Sequence, residues 1–495
     1  MMNSTETSPR PAMPLFLSAA PFVMMIAVLG IGAGIYHFNV AVLLLVSAAI
    51  TGITASAYGL RWAQMEAGIV AKLTTSMPAS LIVTAVGALI GSWMFSGTIP
   101  MMIYYGIQII QPDWIVPCLF LIATVVSSVT GTSWGSVGTV GVALIGIAAS
   151  LGVPLPITAG AIVAGAYFGD KMSPMSESTN LAALVTGAKL YEHIRHLTYT
   201  TVPVYLLSIG LYIALSPSTG ASYVQPASVQ AMLAALAHMF TFGWASLLLL
   251  PVLVVVGGSV MKLPTVPTML LSSALAIALG IGTQHFSLAD GVSSLVDVFS
   301  VPMAQAKLSS LGIDGVTPQV TRLLTRGGMS SMMSTLLIVF CAFGFAGIVS
   351  SAGMLDTLLA AVTSRVVLKR GPLILSTVVT CVLVGLTTGA SFLCLIIPAE
   401  MFGPAYRKAG LHPVNLSRTI EDAGTVLVPL IPWSMAGIYM SAQLGVPVLA
   451  YAPYAFLCHG CMILAVVFGY TGIGIRSATV AAAAPSAPIQ REQQA

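Results

Sequence analysis

Two carboxylates, four hydroxyls and an amide crowd into twelve positions between apolar runs, and this is the densest patch of chemistry in the chain. The stretch reads Gly169-Asp170-Lys171-Met172-Ser173-Pro174-Met175-Ser176-Glu177-Ser178-Thr179-Asn180. Pro174 bars a continuous regular helix through it. Asp170, Ser173, Ser176, Glu177, Thr179 and Asn180 are therefore candidates to hold an ion or a small substrate. Glu177 has two other uses open to it, pairing with Lys171 or facing water. The apolar run before the stretch, 154–168, is too short to span a bilayer, so the stretch reads as the tip of a re-entrant hairpin. A second polar run, Asn415 to Thr425, also lies between apolar segments. On a helix, Ser417, Glu421 and Thr425 share one face, whereas Arg418 and Asp422 form an i, i+4 pair on another. Glu421 and Thr425 are then site candidates, and Arg418 with Asp422 is expected to be a structural ion pair. His412, at a predicted helix boundary, reads either as a titrating group or as an ordinary loop histidine.

Neutral oxygens stand at two further places. The apolar runs 114–152 and 372–410 are each about twice the length of one membrane span, and each is interrupted near its middle. The interruptions read Thr130-Gly131-Thr132-Ser133 and Thr388-Gly389-Ala390-Ser391. Hydroxyls of Thr130, Thr132, Ser133, Thr388 and Ser391 suit a hard monovalent cation; the plainer reading is that they bond to helix carbonyls or ease helix packing. Unwound backbone inside a membrane persists only where protein or water satisfies its polar groups. A carboxylate at the bilayer centre costs roughly 2.5–3.5 kcal/mol, so Asp170 and Glu421 need a reason to be there. Thr130 and Thr388, Gly131 and Gly389, Ser133 and Ser391, Gly152 and Gly410, Pro174 and Pro432, and Ser176 and Ser434 all stand 258 positions apart. Matching interruptions in two halves of an apolar chain point to a transporter built from inverted repeats, with its site at the breaks.

The elements that must position these groups are membrane helices. Of 495 residues 57% are hydrophobic and only 6% charged, and the mean hydropathy is +0.97. A soluble domain carries about a quarter charged residues. The apolar runs predict helices near 14–36, 40–59, 78–96, 114–152, 197–216, 237–257, 262–283, 329–350, 372–410 and 449–473. The reading is an all-α polytopic membrane protein with about 10–13 crossings, broken helices and re-entrant hairpins. Short alternating strands, as in a membrane barrel, are missing from the pattern. The domain plan is a polar tail over 1–12, a membrane domain over 13–475 with repeats near 60–216 and 320–473, and a disordered tail over 476–495.

Eighteen Lys and Arg against fourteen Asp and Glu give a scattered charge of +4, which argues against nucleic acid and fits a positive-inside bias. Arg61, Lys72, Arg365, Lys369 and Arg370 mark the cytoplasmic side of the cell membrane, which places the N-terminus there. The six cysteines lie in apolar segments, and Cys458-x-x-Cys461 has no second ligand pair. No Walker A, H-E-x-x-H or nucleophile elbow occurs, so neither an enzyme nor a cofactor is expected. Gly30-Ile31-Gly32-Ala33-Gly34 lies within a span and is not a nucleotide loop. Without a nucleotide site, transport must run on an ion or substrate gradient.

At these same residues the sequence resembles the NhaC family of Na⁺/H⁺ antiporters. The runs that carry the likeness are Gly131-Thr132-Ser133-Trp134-Gly135 with Gly138-Thr139-Val140-Gly141, the stretch Gly165 to Pro174, Ser178-Thr179-Asn180-Leu181, and Leu416-Ser417-Arg418 through Thr425 into Pro432-Trp433. The likeness extends over most of residues 14–473. It implies an inverted-repeat fold with two re-entrant hairpins, an elevator-like or rocking movement against a scaffold, often a dimer, and Na⁺ and H⁺ as the coupled ions. Sodium is expected at Asp170, Ser133 and Thr132. Three positions depart from the family's pattern: Glu177 where Asp is usual, Ser434 where Asn is expected, and Ala390 where an acidic residue is expected.

Two mechanisms follow. In Na⁺/H⁺ antiport a buried carboxylate such as Asp170 is contested by proton and sodium. In the alternative, half-helix N-termini and hydroxyls, Ser434 among them, hold a small organic acid or amino acid with sodium beside it. A passive channel fits the paired breaks and intramembrane carboxylates less well.

Overall fold

The structure, a computed structural model, describes residues 13–36, 38–109, 112–216, 227–304, 321, 324–325, 327–364 and 368–478. The expected tail over 1–12, residues 479–495 of the expected C-terminal tail, and Arg365 lie outside the described residues. Residues 476–478 are held in place: His412 N–H donates to the Arg476 carbonyl at 3.0 Å and Ala478 N–H to that of Gly410 at 2.8 Å.

The protein is a helical, multi-span membrane protein. Among the described residues nine helices are long and apolar enough to cross a bilayer, or up to eleven if each of two bent pairs is one span. The count of nine to eleven overlaps the lower end of the expected range of about 10–13. No strand occurs among the described residues, only an isolated bridge between Leu411 and Ser477. Side chains such as Phe16, Leu206, Leu271 and Ile463 are exposed, as lipid-facing positions should be. Polar side chains inside the spans satisfy themselves locally: Ser47 and Thr51 donate to the carbonyls of Leu43 and Ser47 at 2.9 and 2.7 Å.

Helix limits depart from the apolar runs where polar residues join a helix. Trp62–Ser96 is one helix of 35 residues, far longer than the expected 78–96, and it contains Glu66 and Lys72. At 1.5 Å per residue it measures about 52 Å, so it reaches well past a 30 Å hydrocarbon core. Close approach fixes its packing on Met333–Ser351: a Cβ added at Gly347 would lie 2.5 Å from the Ile69 Cα. The expected helix 237–257 is divided into Ala227–Met239, a 3₁₀ turn at Phe242–Trp244, and Leu250–Val260. The expected 197–216 begins at Leu190, and the expected 449–473 is bent by 59° between Val448–Tyr454 and Phe456–Thr471.

Element ends repeat at the spacing of 258 seen in the sequence. Ile115–Thr130 and Arg370–Thr388 both close on a left-handed glycine, Gly131 at φ 70° and Gly389 at φ 62°. The next helical stretches start at Ser133 and Ser391 and end at Ser150 and Lys408. Leu155 and Pro413 open the following helices, and Glu177–Thr186 and Met435–Leu444 close the pattern before the left-handed Gly187 and Gly445. Within each half the two breaks touch. A Cβ on Gly131 would lie 2.7 Å from the Met175 Cβ, and one on Gly389 would lie 3.1 Å from the Ser434 Cα.

Candidate functional site at the helix breaks

At the first break the chain leaves helix Ile115–Thr130 through Gly131, whose left-handed backbone releases the next amides. Thr132 is the N-cap of the half-helix that follows, its hydroxyl accepting from Gly135 N–H at 3.3 Å. Ser133, one residue on, points its hydroxyl away from this cap and donates to Asp170 Oδ2 at 2.7 Å. Thr130 Oγ1 and Ser136 Oγ lie 3.0 Å apart and tie the end of the first helix to the half-helix beyond the break.

Asp170 sits near the C-terminal end of Leu155–Met172, a helix that runs four residues past the apolar run because it takes Asp170 and Lys171 with it. Its other oxygen, Oδ1, accepts from Ser176 at 2.5 Å. Thr179 closes the helix end by donating to the carbonyls of Asp170 and Lys171 at 3.2 and 3.0 Å. Asn180 ties the turn by donating to the carbonyls of Pro174 and Ser176 at 2.8 and 2.6 Å, and the Ser173 hydroxyl accepts from Met175 N–H at 3.3 Å. These three shape the break rather than reach into it. Glu177 is exposed in the first turn of Glu177–Thr186 and does not pair with Lys171.

In the second half, helix Pro413–Ile420 passes into a π-turn over Glu421–Thr425. Such widened turns collect at functional sites. Thr425 donates to Glu421 Oε1 at 3.0 Å, as the i, i+4 spacing predicts. The same oxygen accepts from Ser178 at 3.1 Å, across 243 residues of sequence. Ser178 and Ser176 are 3.1 Å apart. One hydrogen-bonded line therefore runs Ser133, Asp170, Ser176, Ser178, Glu421, Thr425 and joins a carboxylate of each half.

The neighbouring carboxylate has a second, closer partner besides the expected one. Lys171 forms a direct ion pair with Asp422, both fully buried, while Arg418 Nε stands 4.0 Å from Asp422 Oδ2. Thr200 donates to Asp422 Oδ1 at 3.0 Å. Arg418 turns toward the other end of its helix and donates to the Gly474 carbonyl at 2.8 Å. The i, i+4 rule takes account of only one helix, and the lysine arrives from another.

The second break gathers fewer of the expected groups. Thr388 donates to the Val384 carbonyl at 2.7 Å, Ser391 is half-buried at the head of its helix, and Ala390 is an N-cap with no side-chain oxygen. Ser434 caps Met435–Leu444 by accepting from Gly437 N–H at 2.9 Å and donates to the Val428 carbonyl at 2.5 Å. Trp433 donates to the Leu386 carbonyl at 2.8 Å. Trp134 stacks on Tyr439 with centroids 4.4 Å apart, and the Tyr439 hydroxyl donates to the Trp134 carbonyl at 2.8 Å. Both tryptophans are packing anchors here. The sequence reading missed Lys171 as the ion-pair partner, Ser178 as the bridge, and Tyr439. For Ser178 and Lys171 the signal was their place in the polar stretch; for Tyr439 no local signal exists.

A bundle of apolar helices with breaks at matching places in two halves, and buried carboxylates facing hydroxyls at those breaks, defines a secondary transporter. Comparison with known proteins sharpens the class. The model of the Na⁺/H⁺ antiporter family matches residues 165–473. An uncharacterized Na⁺/H⁺ antiporter of Haemophilus influenzae is 42% identical over 95% of this chain and 99% of its own. The Na⁺/H⁺ antiporter NhaC of Alkalihalophilus pseudofirmus is 38% identical over 84% of this chain and 86% of its own. A malate-2H⁺/Na⁺-lactate antiporter of Bacillus subtilis is 31% identical over 84% and 85%. The chain belongs to the Na⁺/H⁺ antiporter family.

Proposed function

We propose that the protein exchanges Na⁺ for H⁺ across the cell membrane, with Asp170 as the carboxylate for which the two cations compete. The observation that carries this is the environment of Asp170: both oxygens accept from serine hydroxyls, one at each break of the first half. Burial disfavours a bare carboxylate, so either a proton or a sodium ion with oxygen ligands must compensate it. Ser133 and Ser176 are the neutral oxygens on it, and sodium takes the place of the proton there.

The hydroxyl line to Glu421 supports the proton side of the cycle. Asp170···Ser176, Ser176···Ser178 and Ser178···Glu421 are three oxygen–oxygen contacts, and the two serines supply two hydrogens. With both carboxylates ionised, each serine donates outward and the middle contact has no hydrogen. A proton on Asp170 or Glu421 completes all three. Such a line can hold one proton, and Glu421 Oε2, without a hydrogen-bond partner among the described residues, leaves an oxygen for a cation. Alternating access proceeds by an elevator-like or rocking movement of the breaks and their helices, with the N-terminus on the cytoplasmic side.

A second reading has one observation in its favour. Helix Ser391–Lys408 begins at the second break without a side-chain cap, and a half-helix N-terminus of this kind accepts a carboxylate. On that reading a small organic acid or amino acid travels with sodium. Proteoliposomes with an acid lumen and an internal pH dye distinguish the two. Alkalinisation on external NaCl alone is the expected result; a signal that requires one added carboxylate or amino acid would replace the first reading with the second.

A further inference from the structure

We propose that the cavity between the first turns of helix Leu190–Leu215 and the segment Gly474–Arg476 binds a phosphate-bearing anion. It is an open recess of about 500 Å³, lined by Glu192, Arg195, His196, Tyr199, Gly474 and Arg476. This site is distinct from the hydroxyl line at the breaks and does not depend on the exchange reading.

Charge decides the ligand. Arg476 Nη1 lies 3.2 Å from Glu192 Oε2, and Lys189 Nζ lies 3.9 Å from Glu192 Oε1, so the single carboxylate of the wall is already engaged. Arg195 takes part in no ion pair among the described residues. Directly behind Gly474 stands Arg418, fully buried, whose Nη1 donates to the Gly474 carbonyl and whose Nε is ion-paired with Asp422 at 4.0 Å. Two guanidinium groups, Arg195 and Arg476, and the Lys189 ammonium thus gather around one carboxylate. A recess with low-dielectric walls focuses such a field, which repels sodium and attracts an anion. The planar fork of arginine matches phosphate oxygens two at a time. The volume is at the scale of small-molecule sites, so it admits a phosphate that carries an organic group.

The cavity wall is also a mechanical part of the transporter. Arg476 N–H donates to Asn415 Oδ1 at 3.0 Å, Asn415 Nδ2 donates to the Arg476 carbonyl at 2.6 Å, and the buried His196 Nε2 lies 3.3 Å from the same Oδ1. Asn415 belongs to the helix that continues into Glu421 and Asp422. An anion that draws Arg476 away from Glu192 therefore acts on the helix that carries the buried carboxylates, and occupancy and transport become linked.

The phosphate has two possible sources, a free solute or an anionic lipid headgroup. The test uses the full protein in phosphatidylcholine nanodiscs and follows thermal unfolding while inorganic phosphate is titrated against chloride at equal ionic strength. Parallel discs contain phosphatidylglycerol and no phosphate. Saturable stabilisation by inorganic phosphate supports a solute site; stabilisation only in the phosphatidylglycerol discs supports a headgroup site. In either case Arg195→Gln should weaken the effect about fivefold, the scale of one exposed charge pair. Glu192→Gln, which removes the competing carboxylate, should strengthen it. Arg195 is exposed, and unfolding of each variant in chloride confirms that it folds. The proposal is overturned by stabilisation that ignores both replacements, or by none from either source.

Discussion

The two halves of the molecule share a backbone plan and differ in what is attached to it. At the first break Thr132 caps the emerging half-helix and Ser133 reaches Asp170; at the second, Ala390 stands in the capping position and offers no oxygen. Ser176 donates to the Asp170 carboxylate, whereas Ser434, 258 positions later, donates to the carbonyl of Val428, the residue at the position matching Asp170. The second half instead places its acids mid-helix, on a π-turn, where Glu421 meets Ser178 and Asp422 meets Lys171 of the first half. Helix ends at matching spacing thus frame a site whose charge is not matched. A cation needs one compensating carboxylate and several oxygens, and two equivalent acids at close range would repel each other.

The largest expected effect breaks this comparison on its charged side. Asp170→Asn should abolish Na⁺-driven proton movement in proteoliposomes while unfolding and membrane insertion stay as in the parent protein. Retained exchange would move the ion site to Glu421 and the second half. Next comes the tie between halves: Asp422→Asn leaves Lys171 buried without its counter-ion and should cost about 3–5 kcal/mol in unfolding measurements in detergent. Replacing Lys171 with Gln in the same chain should recover most of that loss. If Arg418 were the main partner, the double replacement would recover nothing.

The breaks themselves should respond unequally. Any side chain at φ near +65° costs about 1–2 kcal/mol, at either glycine. Gly131→Ala adds a collision, since its Cβ would lie 2.7 Å from the Met175 Cβ and 2.9 Å from the Met175 carbonyl carbon, while at Gly389 the nearest atom is 3.1 Å away. Gly131→Ala should therefore be the more damaging to stability and to exchange; equal losses would mean that the two breaks are packed alike. The smallest effect is a gain. Ala390→Thr restores the cap that Thr132 supplies in the first half and should stabilise the fold by about 0.5–1 kcal/mol. If the uncapped amides at Ala390 serve an anionic substrate, the same change lowers apparent affinity for that substrate, which a transport assay with the carboxylate panel reads directly.

Much of this was legible in the chain. Gly131, Gly389 and the hydroxyls around them announced interrupted helices because glycine and small polar residues are poor company in a continuous apolar span. Asp170, Ser176, Glu421 and Thr425 stood out through cost alone, since a charge or its partners in hydrocarbon require compensation. Other readings failed for reasons that can be named. The helix expected at 78–96 begins at Trp62 and continues through Glu66 and Lys72, because a helix longer than the bilayer carries polar residues beyond the hydrocarbon. Ser434 looked like an ion ligand and is a helix cap, a role that no sequence window separates from a site. Arg418 does stand at ion-pair distance from Asp422, 4.0 Å, but the i, i+4 rule takes in one helix only and could not show the closer Lys171.

The sequence by itself determined the solvent, the helical class, the places where helices break and the residues too costly to be there without purpose, because each follows from local composition and the price of polar groups in lipid. Only the tertiary structure decided which of those residues meet. Lys171 and Asp422 are 251 positions apart, Ser178 and Glu421 are 243, and Trp134 and Tyr439 are 305. Contacts of that separation arise from the packing of one half against the other, and no periodicity along a single helix encodes them.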